Sequence, residues 1–259
     1  MADRGSLTVV GTGIRVGSQL TPEARTAFEH ADAAFSLVAD QIGAGLLAEI
    51  NPQVRSLNDH YEPGVHRQVI YDRMAETILA EVRQGLSVCA AFYGHPGIFV
   101  SPSHEAIRRA RAEGFPARML PAVSAEDCLF ADLGVDPGAT GCQSYEATDF
   151  LLRRRQVDPT AMLILWQVSV IGERLYSRET PPRRLSVLVE YLLQWYDPEH
   201  LVTLYEASPY PIAAASIQTL TLERLPHFEP APLATLYVPP VDDRQTDVEM
   251  AALLGVPSV

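Results

Sequence analysis

Between Leu7 and Leu120, apolar runs of strand length alternate with stretches of helical spacing, and this constrains the fold more than any other feature. Leu7-Thr8-Val9-Val10 reads as a buried strand that ends in Gly11-Thr12-Gly13. Thr21 and Pro22 then open a helix, Thr21 as N-cap and Pro22 in the first turn. Ala33 to Val38 reads as a second strand. A helix is predicted from about Gln68 to Arg83, where Val69, Ile70, Met74, Ile78, Leu79 and Val82 recur near helical spacing. Ser87 to Phe92 is a third strand and runs directly into Tyr93-Gly94-His95-Pro96-Gly97. A helix from Ser103 to Glu113 and a short strand at Ala117 to Leu120 complete the pattern. Alternation of this kind builds a parallel sheet with right-handed crossovers.

Beyond Pro121 the pattern loosens. Ser124 to Leu133 reads as a helix with Glu126 and Asp127 in its first turn. Met162 to Val168 is a buried strand, and a helix covers about Leu185 to Tyr196. Strand candidates follow at Leu201–Tyr205, Ile217–Leu222 and Leu233–Val238. They lie too close together for helical crossovers, so antiparallel pairing is expected. The expected fold is α/β: an N-terminal parallel-sheet domain over 1–121, a C-terminal mixed-sheet domain over 122–240, and a short helix or tail over 241–259. In that tail Val248, Met250, Ala251, Leu253 and Leu254 form the apolar side.

The formal net charge of −12 argues against a nucleic-acid binder or a protein that adheres to anionic membranes, because both need dense basic surface. No apolar run approaches the roughly 20 residues of a membrane-spanning helix. Met1-Ala2-Asp3-Arg4 is not followed by a basic-then-apolar leader. Cys89, Cys128 and Cys142 are too scattered for a disulfide framework or a metal site. A cytoplasmic enzyme without a metal is the expectation.

Gly11-Thr12-Gly13 after a first strand, with Asp40 closing the second, invites a dinucleotide-binding reading. Gly17 makes the pattern GxGxxxG, which fits an ordinary tight turn better. Gly94-His95-Pro96-Gly97 lies where open α/β sheets bind ligands, beyond the carboxyl end of a strand. A rigid turn and a ligand cradle are equally consistent with it. Arg67 and Tyr71 are spaced i, i+4 at the start of a predicted helix, and Tyr61 lies just upstream. Such a group either packs a surface arginine on phenol rings or stabilises an oxyanion beside a phenolic proton acceptor. His95 and His104 lack a third ligand at metal-site spacing, and Ser124 is not in a GxSxG elbow. Arg153-Arg154-Arg155 reads as a solvated helix end.

Leu7 to Gly13, Tyr93 to Gly97 and Leu120-Pro121-Ala122-Val123-Ser124 resemble successive signature segments of the tetrapyrrole methylase superfamily over nearly the whole chain. Phe92 to Val100, Ser124 to Pro137, Ser144 to Asp149, Leu165 to Gln167 and Tyr237 to Pro240 are similar to one branch in particular. That branch is the borosin α-N-methyltransferases, which methylate backbone amides of a ribosomally made peptide. The resemblance implies two α/β domains with S-adenosylmethionine in the cleft between them, and a homodimer. It places the cofactor against Gly94, His95, Pro96, Gly97, Phe99 and Val100, with Ser124, Ala125, Gln167, Tyr205 and Ala207 bordering it. It assigns catalysis to Tyr61, Arg67, Tyr71 and Tyr93. One position departs: the tyrosine often found three residues before the position matching Tyr61 is Asn58 here, and an amide cannot supply a phenolate.

Some members of the branch carry their substrate as a C-terminal extension. Only Val241 to Val259 follow the last predicted strand, so the expected substrate is a separate precursor peptide chain. The competing expectations are a tetrapyrrole methyltransferase, against which an acidic chain weighs, and a silent cofactor-binding scaffold. A nicotinamide oxidoreductase is more remote.

Overall fold

The computed structural model describes residues 5–38, 40–176, 184–228, 230–241 and 246–256. The chain divides into two units, the first made of 1–134, 173–182 and 206–216, the second of 135–172, 183–205 and 217–259. The division thus falls near Gly134, not at Pro121, and two later segments return to the first unit. The helix after Pro121 stays with the first unit because Gln19, which accepts from the Ile14 and Arg15 N–H groups, also reaches the Cys128 thiol at 3.8 Å.

The first unit holds a five-stranded sheet of β1 (Ser6–Gly11), β2 (Ala33–Leu37), β3 (Arg55–Ser56), β4 (Ser87–Phe92) and β5 (Ala117–Met119), ordered β3-β2-β4-β1-β5. Every pairing in it is parallel. Its helices are α1 (Val16–Gln19), α2 (Pro22–Glu29), α3 (Gln41–Ile50), α4 (Arg67–Arg83), α5 (Ser101–Ala112) and α6 (Ala125–Leu133). Side chains alternate across the pleat. Leu7, Val9, Phe35, Val88, Ala90 and Phe92 meet Ile70, Met74, Ile78 and Leu79 of α4 and Ala106 and Ile107 of α5 on one face. Val10, Ala34, Cys89 and Ala91 meet Ala24 and Phe28 of α2 and Leu47 of α3 on the other.

Local chemistry sets the helix starts. Thr21 accepts from the Ala24 N–H with Pro22 behind it, and Ser124 and Asp127 close a capping box on α6. Asp40 has a structural task too, since its carboxylate accepts from the Gly43 N–H at 2.6 Å and caps α3. The helix α3 itself, with its apolar residues only loosely spaced, did not stand out in the sequence.

The second unit holds α7 (Pro137–Thr140), β6 (Cys142–Glu146), α8 (Ala147–Leu152), β7 (Met162–Trp166), α9 (Leu185–Leu192), β8 (Leu201–Glu206), β9 (Ser216–Thr221), β10 (Thr235–Val238) and α10 (Val248–Leu254). Its sheet is mixed, ordered β6-β7-β10-β8-β9. The β6–β7 pairing is parallel, and β10 runs antiparallel to both β7 and β8. The expected antiparallel pairing is present, but β10 inserts between β7 and β8 and does not pair with its predecessor β9. α10 lies where the tail helix was expected, capped by Asp247, with Ala251 buried and Leu253 80% exposed.

Candidate active site

Arg67 is the first residue of α4, so its backbone N–H lies among the donors that a helix cannot satisfy itself. The Arg174 carbonyl accepts it at 3.0 Å. The following donors are taken by His66, whose Nδ1 accepts from Gln68 and whose carbonyl accepts from Val69. Position at the first turn adds the positive end of the α4 dipole to the guanidinium charge. Downstream, Asp72 is held by Arg109 of α5 at 2.8 Å, which ties the first turns of α4 to its neighbour.

Tyr61 and Tyr71, both half-buried, pack against the same core face, and Tyr176 joins them there. The Tyr61 and Tyr176 rings lie 4.7 Å apart, and the Arg67 guanidinium sits over the Tyr176 ring at 5.8 Å. Burial pushes the Tyr61 phenol up to about 12; Tyr71, within hydrogen-bonding reach, adds to this, while Arg67 opposes it. Three of the four sequence-derived catalytic residues are therefore together. Tyr176 was missed because nothing in its surroundings marks it, and it lies more than a hundred residues from its partners.

Tyr93 is placed differently. It leaves β4 one residue after Phe92 and so packs on the opposite face of the sheet, where its N–H donates to Leu37 at 3.0 Å. Burial raises its phenol to about 12, with Cys128, Glu206 and Asp40 adding to the effect. Strand alternation thus separates Tyr93 from Tyr61, Arg67 and Tyr71, the residues with which the resemblance groups it.

The loops after β1 and β4 are locked together. Gly94 donates to the Gly13 carbonyl at 3.0 Å, and Gly13 donates back to Gly94 at 3.3 Å. A methyl at Gly11 would collide with the Gly94 carbonyl and lie 2.5 Å from Ala122 Cβ and 2.6 Å from Pro96 Cδ. Gly94 itself has φ +70°, and a Cβ there would meet only Ile14 Cδ1, at 3.6 Å. The positive φ, not crowding, is what calls for glycine at this position. The rest of the loop is fixed from within: Gly97 donates to His95 Nδ1, His104 donates to the Gly97 carbonyl, and the Ser103 hydroxyl donates to Val100 and Pro96.

Among the described residues only Phe99, Arg154 and Gln167 are non-glycines with positive φ. Phe99 and Gln167 are both cofactor candidates, and such backbone strain concentrates at ligand sites. Gln167 follows β7 directly and is exposed. Tyr205 is 1% exposed within β8. Ala207 lies on the 206–216 segment, which the Arg15 guanidinium ties to the first unit through the Ser208 carbonyl at 3.3 Å. Ser124 is buried and its hydroxyl is engaged by Asp127, so its side chain serves the start of α6; Ala125 is the next residue. Asn58 donates to the Val38 carbonyl at 2.8 Å, closing the end of β2. No group of three or more potential metal ligands occurs among the described residues, and no described helix is long and apolar enough to cross a membrane.

A parallel sheet with glycine loops beyond its carboxyl ends, followed by a mixed-sheet unit, is the architecture of the tetrapyrrole (corrin/porphyrin) methylases, and residues 6–211 match that family. The chain belongs to it. A methyltransferase/ribosomally synthesized type I borosin cyclic peptide precursor of Serendipita vermifera subsp. bescii is 40% identical over 98% of this chain and 63% of its own length. The chain thus spans under two thirds of that curated relative. Uroporphyrin-III C-methyltransferase of Thermus thermophilus is similar in fold, with TM-score 0.64 at 21% identity, over 98% of this chain and 97% of that one. A complex of that enzyme with S-adenosylhomocysteine aligns with TM-score 0.62 at 17% identity, over 91% of this chain and 92% of that one.

Proposed function

We propose that the chain is an S-adenosylmethionine-dependent methyltransferase acting repeatedly on backbone amide nitrogens of a ribosomally made precursor peptide. The observation that carries this reading is the Arg67 guanidinium at the head of α4, set beside the Tyr61 and Tyr71 phenols. Similarity to a borosin precursor with a methyltransferase in the same chain supports the peptide as acceptor.

A peptide nitrogen is a poor nucleophile because its lone pair is delocalised into the carbonyl. Its methylation requires loss of the N–H proton and a rise in negative charge on the carbonyl oxygen. Arg67 and the positive end of α4 stabilise that charge. Tyr61 takes the N–H proton as phenolate. Its raised pKa makes the phenolate scarce at neutral pH but a strong base once formed, which suits an acid as weak as an amide. Bound S-adenosylmethionine supplies the activated methyl group. The first-unit residues that would hold it are the backbone from Gly94 to Val100, including Phe99, together with Ala125 and Ala207. Ser124, itself buried, fixes the start of α6.

The test is intact-mass and fragment analysis after incubation with S-adenosylmethionine and a peptide encoded beside the chain's gene. Increments of one methyl mass on backbone nitrogen are expected. Masses of the added peptide and of the chain itself separate the proposed separate substrate from a fused one. Methylation of a tetrapyrrole with none on peptide overturns the proposal. Sedimentation of the purified chain tests the homodimer.

A further inference from the structure

We infer that Tyr176 is a positioning residue, whose ring fixes the Arg67 guanidinium and the Tyr61 ring relative to each other. The inference rests on the proposed amide methylation and deepens its account of Arg67. The observations are geometric. Residues 174–176 run antiparallel to 64–67, with a bridge between His66 and Leu175. Gly64 donates to the Tyr176 carbonyl and Tyr176 donates to the Val65 carbonyl, each at 2.9 Å. Arg67 donates to the Arg174 carbonyl at 3.0 Å. The segment therefore grips the backbone where α4 begins and offers its ring to the side chain that emerges there.

The ring touches both functional groups. Its centroid lies 4.7 Å from that of Tyr61, with planes 34° apart, and 5.8 Å from the Arg67 guanidinium carbon. A guanidinium over a π face is attracted to it, and a flat planar partner limits the orientations available to a long, rotamer-rich side chain. Arg67 needs this support because its helix position fixes only its Cα, while an oxyanion must be met by a donor aligned to within a fraction of an ångström. The anchoring segment belongs to the first unit although it follows a long excursion through the second.

The experiment compares Tyr176→Leu and Tyr176→Phe with the unaltered chain, using the peptide modified in the mass assay. Tyr176→Leu is expected to lower kcat about 100-fold, with S-adenosylhomocysteine affinity and thermal midpoint held. Tyr176→Phe, which keeps the ring, is expected to recover kcat to within about threefold. A leucine variant with full kcat overturns the inference, and so does a phenylalanine variant as impaired as the leucine one. A second readout needs no turnover. In protein labelled with ¹⁵N-arginine, the Arg67 Nε–H resonance, identified by its loss in Arg67→Lys, should be ring-current shifted and slow to exchange. Both features should vanish in Tyr176→Leu and persist in Tyr176→Phe. If they do so while no peptide is methylated, the peptide reading fails and the positioning contact stands.

Discussion

At the scale of single residues, the site depends on charge and burial set by a few positions. Truncating Arg67 to alanine removes the positive group that the proposed mechanism sets against the developing oxyanion. We expect kcat to fall by about 10²–10³-fold with S-adenosylhomocysteine binding unchanged, measured by steady-state kinetics and calorimetry. Tyr61 gives a pH signature. Its phenol is held at about 12, so the phenolate fraction grows with each pH unit below that value. The rate should therefore rise about tenfold per unit from pH 7 to 10, and Tyr61→Phe should remove both the slope and most of the rate. Asn58 shows how a single departure is absorbed. Its amide closes β2 through the Val38 carbonyl, and the proposed mechanism assigns proton transfer to the phenols downstream.

At the scale of elements, the joined glycine loops and the helix caps set the geometry. Gly11→Ala drives a methyl into the Gly94 carbonyl, which is backbone and cannot rotate away. The expected cost is about 2–3 kcal/mol, seen as a lower thermal midpoint together with weaker S-adenosylhomocysteine binding. Gly45→Ala in α3 is the contrast, since nothing lies within 4 Å of the added carbon. It should stabilise by up to about 1 kcal/mol with binding unaltered. Asp127→Ala opens the capping box of α6 and should cost about 1 kcal/mol in a denaturant titration.

At the scale of the whole molecule, buried phenols govern alkaline behaviour. Tyr61, Tyr93 and Tyr196 are each raised to about 12, mainly by burial, against about 10 for an unfolded tyrosine. A raised folded pKa contributes stability that is fully present below pH ~10 and is lost as pH climbs through ~12. Circular dichroism should therefore show unfolding within that window, and Tyr196→Phe should move the midpoint upward. The order of the second sheet also belongs to this scale. β10 enters between β7 and β8 because the run Thr235–Val238 is buried throughout and needs neighbours on both edges.

What the sequence determined by itself is what acts over a few residues. The period of the strands and helices around Val9, Met74 and Ala90 was legible, as were the caps at Thr21 and Ser124 and the turn at Gly94. So was the pairing of Arg67 with Tyr71, because residues four apart on a helix share a face. The short strand β6 and the helix α3 were not, since neither has a clear period. Tertiary structure alone decided that Tyr176 meets Tyr61 and Arg67, that Tyr93 turns to the opposite face, and that 206–216 returns to the first unit. The reason is physical: propensity and capping are local energies, whereas contacts across a hundred residues exist only once packing has overcome the entropy of closing the loop.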